Sequence, residues 1–373
     1  MKENRYSLSI ISKKHYLCNM FHLDVNRFIE EKSLFFQKDK ILVALSGGAD
    51  SVALLRVLLA LGYTCEAAHC NFHLRGKESD RDENFVRGLC NELNILLHVV
   101  HFDTQTYATK HRISIEMAAR EMRYEWFEKL RQECDASVIA VAHHRDDSVE
   151  TFLLNLIRGT GINGLKGIAP LNGHIVRPLL NVSRQDILQY LEHLHQDYVT
   201  DSTNLQDEYM RNKIRLNILP MLGELNPSVS ESIAETANRL AETSLVYNKE
   251  MAEAKNRVIK RNGNNLKAIH VERLLTEVAP ASLLFEILYP LGFKPLQIKD
   301  IFHSLSGQPG KRFISPEWEA VRDREYLLLQ TRTIESTTDP TPQLCIKTLD
   351  LSDDFIIPKE KDVACLDADK VIR

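Results

Sequence analysis

The stretch Ser46-Gly47-Gly48-Ala49-Asp50-Ser51 gathers two hydroxyls and one carboxylate around a glycine pair. It lies between an apolar run and a second apolar run of different period. Glycines there reach φ > 0 and let the backbone come close to a ligand. The hydroxyls and the N–H groups of a starting helix suit an anion, helped by the helix dipole. A tight strand-to-helix turn capped by Asp50 is the plainer reading. No lysine follows the glycines and the turn itself is not GxGxxG, so neither the Walker nor the dinucleotide pattern applies to it.

Other charged groups recur at telling spacings. Asp146, Asp147 and Glu150 fall in the first turns of a helix, where the dipole favours acids. Asp147 and Glu150 are three residues apart, share one face and together suit an ammonium group. His143 and His144 beside them are alternative metal ligands, although no partner cluster with helical ligand spacing occurs elsewhere. Arg120 and Arg123 share a later helix, where a guanidinium suits phosphate or simply faces solvent. Arg211 and Arg215, with Asn212 between them, lie on one helix face suited to RNA phosphates, to the substrate site or to solvent. His69, Asn71, His73 and Arg75 close a strand and suit adenine, phosphate or RNA alike. Gly159, Gly161 and Gly164 read as a mobile loop over the site, or as a turn.

Such groups need a frame. "KILVAL" reads as a buried strand and "SVALLRVLLALG" as a helix stopped by Gly62. "TCEAAHC" is a second strand, followed by a helix opened by Ser79 with Asp82 in the capping-box position. "ILLHVVHF" and "SVIAVA" are two more strands, each followed by an amphipathic helix. Unbroken apolar strands alternating with such helices imply a doubly wound, Rossmann-like α/β domain with a parallel sheet. After a loop over 159–173 come a short strand, a helix capped by Ser183, a helix ended near Pro220, and a long helix from Pro227 to about Arg261. The expected layout is an N-terminal extension (1–23), an α/β domain (24–225), a mostly helical middle domain (226–331), a linker (332–343) and an incomplete C-terminal module (344–373).

SGGxDS after a buried strand is the signature of the PP-loop ATP pyrophosphatases. With "HCNFHLRG", "EMAAREMRYEWF", "AHHRDDSVET", "RGTGINGLKGI", "RPLL" and "DSTN…YMRNKIRLNILP" in this order, the chain resembles the tRNA(Ile)-lysidine synthase family. The resemblance is dense over about 40–225 and looser to about 330. It implies a ligase that attaches L-lysine to C2 of the wobble cytidine of an isoleucine tRNA with a CAU anticodon. ATP and Mg²⁺ are the implied cofactors, and adenylated tRNA the intermediate. It assigns ATP to Ser46, Gly47, Gly48, Ala49, Asp50 and Ser51, with Asp50 toward Mg²⁺ through ATP. Catalysis falls to Asp50, Arg120, Asp147 and Glu150, lysine to Asp147 and Glu150, and tRNA to Arg75, Arg211 and Arg215. A tRNA thiolase of the same superfamily, or a non-catalytic nucleotide-binding regulator, is the alternative.

Composition is compatible. The chain has 373 residues, 44% of them hydrophobic and 26% charged, with a formal net charge of −4, so any RNA-binding surface is local. Seven cysteines with no CxxC pair read as reduced thiols in a cytoplasmic protein. No stretch reaches the ~20 apolar residues of a membrane span. A homodimer is an assembly this reading leaves open.

Overall fold

The computed structural model describes residues 20–200, 209–261 and 266–332. The start of the N-terminal extension, the "DSTN" part of the motif at 201–208, all but the first residue of the linker and the C-terminal module lie outside the described residues. The chain divides into two compact units, at Asn248 and Lys249. Among the described residues no helix is long and apolar enough to cross a membrane.

The first unit follows the alternating pattern. Helix α1 covers 20–31. Strands β1 (Lys40–Ala44), β2 (Thr64–Asn71), β3 (Leu97–His101) and β4 (Val138–Ala140) are parallel, and β6 (Ile175–Val176) joins β4 in parallel. β5 (Leu171–Asn172) runs antiparallel to β6, and the sheet order is β3-β2-β1-β4-β6-β5. Between the strands lie α2 (Ala49–Ala60), α3 (Lys77–Glu92), α4 (Thr104–His111), α5 (Ile115–Glu133) and α6 (Arg145–Ile157), with α7 (Arg184–His193) after β6.

Strand β1 shows why both faces are covered. Ile41 and Val43 join one buried cluster with α1, α2, α3 and α7, whereas Leu42 joins another with Phe127 and Leu130 of α5. Successive side chains leave a strand on opposite faces, so an unbroken apolar strand needs helices on both sides. From β1 the chain first builds β2 and β3 on one side and then returns to build β4 on the other. Ligands in such sheets bind beyond the strand ends at this reversal, here between β1 and β4.

Helix boundaries follow local chemistry, with two corrections. Gly62 (φ +81°) ends α2 as expected, and Ser183 caps α7 in a reciprocal box with Asp186. α3, however, starts at Lys77 after Gly76 (φ +53°), so Ser79 lies inside it and accepts a bond from the Arg75 N–H (3.3 Å). Pro220 does not end its helix. Tyr209–Lys213 (α8) runs into a π turn at Ile214–Ile218 and on into α9 (Leu219–Leu225). The Leu219 N–H reaches back to the Ile214 carbonyl, and this wider turn precedes the residue that has no N–H to donate.

α10 (Val229–Val258) is shorter than expected at its end. The stretch expected to be mostly helical does carry more helix than strand among its described residues, and it also holds an antiparallel sheet, β7 (Ile259–Arg261), β8 (Leu266–His270), β9 (Arg312–Ile314), β10 (Trp318–Arg322) and β11 (Tyr326–Thr331). Its order is β7-β8-β11-β10-β9. Helices α11 (Val271–Thr276), α12 (Pro280–Leu288) and α13 (Pro295–Ser304) share its core of Ile269, Leu284, Phe293, Ile301 and Leu327, all at most 1% exposed.

Candidate active site

The turn after β1 folds around one hydroxyl. Ser51 Oγ accepts the N–H groups of Ser46 and Gly47 (both 3.2 Å), lies 3.1 Å from Ser46 Oγ and donates to the Gly48 carbonyl (2.9 Å). Gly47 sits at φ +93°, where a Cβ would stand 3.2 Å from Val86 Cγ2 and 3.5 Å from Val199 Cγ2. Its carbonyl also accepts the Val199 N–H (2.9 Å), which holds the turn from outside. Ser51 is thus a structural hub as well as a donor.

The second wall follows β4. The Asp147 carboxylate accepts the His144 N–H (3.0 Å) and thereby caps α6. The ring of buried His144 stands between two acids, with Nε2 3.5 Å from Asp147 and 3.7 Å from Asp50. Asp50 itself is in contact with the Arg184 guanidinium at the start of α7. His143 Nδ1 accepts a bond from Arg177 Nε (3.2 Å), and Arg177 is buried and also holds the Ala169 carbonyl (2.7 Å). Burial pushes His143 down to about 4. Asp147 opposes the shift, and Arg177, Arg211 and Arg120 add to it. Neutral and with Nδ1 accepting, His143 carries its proton on Nε2.

Between the walls is a cavity of about 440 Å³. Ser46, Gly48, Asp50, Ser51, Arg120 and Asp147 line it, together with His143, Tyr124, Phe72 and Cys70. The Arg120 guanidinium lies 5.2 Å from the Tyr124 ring centre and Arg123 5.1 Å from that of Phe72, so apolar stems and rings alternate with cations. Eight of the residues singled out from the sequence therefore meet here, because Arg123 lines the cavity too.

Others do not line it. Gly47 and Ala49 are not among its lining residues. Glu150 is 0% exposed and takes two bonds from Arg215, at 2.6 and 3.0 Å. Arg215 also lies 3.8 Å from Asp147, so Asp147 is the acid of the pair that faces the cavity. Arg75 donates to Asp82 (3.1 Å). The glycine loop is tied down, since Asn155 binds the Gly164 carbonyl (2.7 Å) and Ser148 Oγ accepts the Ile168 N–H (3.0 Å). Among the described residues no group of three or more His, Cys, Asp or Glu could hold a metal. Burial pushes the Cys70 thiol up to about 12, so this cavity cysteine is a protonated thiol at neutral pH. Sequence reasoning missed Arg184, whose partner lies 134 residues away.

The sequence matches the PP-loop domain family over residues 19–222 and the TilS substrate binding domain family over 261–332. A Bacteroides thetaiotaomicron protein named tRNA(Ile)-lysidine synthase is 59% identical over 352 residues, 94% of this chain and 82% of that protein. The chain belongs to the tRNA(Ile)-lysidine synthase family. Its Parabacteroides distasonis member is 46% identical over 358 residues, covering 93% of this chain and 81% of its own. Membership makes the chain a ligase of tRNA modification with an ATP-using PP-loop domain. Among solved structures, the U34-tRNA thiolase NcsA of Methanococcus maripaludis, with its 4Fe-4S cluster, superposes with TM-score 0.53 at 20% identity. That match covers 61% of this chain and 80% of NcsA and reflects a shared fold.

Proposed function

We propose that this chain joins L-lysine to C2 of the wobble cytidine in the CAU anticodon of an isoleucine tRNA, giving lysidine, AMP and pyrophosphate. The observation that carries the reading is the shared cavity, where the Ser46–Ser51 turn and Arg120 face Asp147. Its lining carries the Arg120 and Arg123 cations and the hydroxyls of Ser46 and Ser51, as a triphosphate needs. The same lining presents the Asp147 carboxylate, as an ammonium group needs. The cytosine O2 attacks the α-phosphorus, the bond to the bridging oxygen breaks, and its electron pair leaves with pyrophosphate. The side-chain ammonium of lysine gives up a proton to solvent, its amine attacks C2, and the C2–O bond breaks to release AMP while the new C–N nitrogen loses a second proton to solvent.

The protein's part is to position and to stabilise charge. The turn and Arg120 would hold the phosphates and Asp147 the lysine ammonium. Glu150 and Arg215 would support Asp147 from behind. The donor set fits Mg²⁺ carried on ATP, because Mg²⁺ bound with phosphates needs only one or two carboxylates and Asp50 lines the cavity. Bound there, Mg²⁺ would neutralise charge on the phosphates. The test is incubation with ATP, radiolabelled lysine and a CAU-anticodon tRNA, beside the Asp50→Asn variant. Label should enter the RNA with wild type, and the variant should be about 10²–10³-fold slower in releasing pyrophosphate. A well-folded wild type that leaves the RNA unlabelled overturns the reading.

A further inference from the structure

Three helices start around the Asp50 carboxylate. α2, α6 and α7 begin after Gly48, His144 and Ser183, and their first turns are tied together. The Arg145 N–H bonds the Val182 carbonyl (2.9 Å), and the Arg184 N–H bonds Asp146 Oδ2 (2.8 Å). The Arg184 backbone is therefore fixed twice, by this bond and by the Ser183–Asp186 box, in which Ser183 N–H bonds Asp186 (2.8 Å). Its guanidinium is held differently. It touches Asp50 while 41% of the side chain stays exposed. An ion pair this open adds little to folding stability. A fixed backbone beneath an open cation instead suits a side chain that changes partner.

We propose that Arg184 is a further catalytic residue, whose guanidinium binds the leaving pyrophosphate; the assignment rests on the function proposed above. In the unliganded chain Asp50 is its partner. When phosphate oxygens enter beside Asp50, the planar fork turns to them, because a guanidinium pairs with phosphate through two parallel bonds. The partner exchange matches the chemistry in time. As the bond between the α-phosphorus and the bridging oxygen breaks, its electron pair and the negative charge move onto pyrophosphate. A cation placed there from α7, with the positive ends of α2 and α6 beside it, stabilises that charge where it develops. No proton transfer is needed in this step.

The experiment measures binding of magnesium pyrophosphate to wild type, Arg184→Gln and Arg184→Lys by titration calorimetry, with steady-state ATP kinetics alongside. Arg184→Gln should bind pyrophosphate roughly 10–100-fold more weakly, the range for losing a charge-assisted bond, and kcat should fall more than KM for ATP rises. Arg184→Lys should recover part of both. In parallel, phenylglyoxal labelling of wild type, read by mass spectrometry, should find Arg184 protected by pyrophosphate, and this arm needs no variant to fold. Unchanged pyrophosphate affinity in folded Arg184→Gln, or an unprotected Arg184 in wild type, overturns the assignment. If AMP transfer to tRNA is intact while Arg184 is unprotected, only this assignment fails. If Arg184 is protected but no AMP reaches tRNA, only the proposed function fails.

Discussion

At the scale of single residues, Arg215 separates two readings of one motif. On a bare helix face it would be a phosphate contact. Folded, it gives two bonds to Glu150, whose carboxylate is fully buried. Removing one partner of a buried charged pair leaves the other uncompensated. Arg215→Met is therefore expected to lower unfolding free energy by about 1.5–3 kcal/mol, from loss of a charge-assisted bond. The slope of log tRNA affinity against log salt should stay nearly unchanged. A phosphate contact would behave oppositely, flattening the slope by roughly 0.7 with little loss of stability. Urea titration and salt-dependent binding on one preparation decide between them. His143 makes a second residue-scale case. Its folded pKa of about 4 lies below the ordinary value of 6.5, so the unfolded chain binds the extra proton between those two pH values. Stability from this group is present above pH 6.5 and is lost as pH falls toward 4. His143→Asn should flatten the stability profile from pH 6.5 down to 4.5, the ordinary carboxyl value below which the loss from Glu83, held down to about 2, sets in. An unchanged profile would show that the ring is not held neutral.

At the scale of elements, Gly47 shows what the turn requires. With φ +93° and Val86 of α3 only 3.2 Å from an added Cβ, Gly47→Ala meets both a backbone and a packing penalty. The backbone part alone is expected to cost about 1–2 kcal/mol, and ATP should bind more weakly because the donors of Ser46 and Gly48 shift with it. Wild-type ATP affinity in this variant would mean that the turn tolerates a side chain. Much of this element was legible beforehand, because strand, glycine pair and apolar helix are contiguous and each has a local period. The same holds for β1 to β4, whose runs are long and apolar. β5, β7 and β9 were not legible, since two or three residues set no period, and their strand identity comes from the partner across the ladder. Pro220 misled for a related reason, because a π turn can carry a helix past a proline that local rules read as a stop. In the site, Asp147 and Glu150 were readable as a pair by spacing. That only Asp147 faces the cavity, while Arg215 covers Glu150, depends on how α6 meets the helix at 209–225, and no spacing rule contains it.

At the scale of the whole molecule, the buried side chains fall into separate cores. The clusters built on β1 and α6 use residues between 21 and 240, and the cluster around β8 and β11 uses residues between 251 and 329. All residues lining the ATP-sized cavity belong to the first unit. A ligand that binds only the folded form of one unit stabilises that unit by RT ln(1 + [L]/Kd), about 2.7 kcal/mol at a hundredfold excess over Kd. For a unit of this size that corresponds to roughly 5–10 °C in Tm. Scanning calorimetry of the full chain is therefore expected to show non-two-state unfolding that resolves into two components. Magnesium ATP should raise the one that reports the parallel-sheet unit and leave the other in place. Tryptophan fluorescence assigns them, because Trp126 belongs to α5 and Trp318 to β10, so Trp126→Phe and Trp318→Phe each silence one unit. A single transition whose midpoint rises as a whole with ATP would mean that the two cores unfold as one.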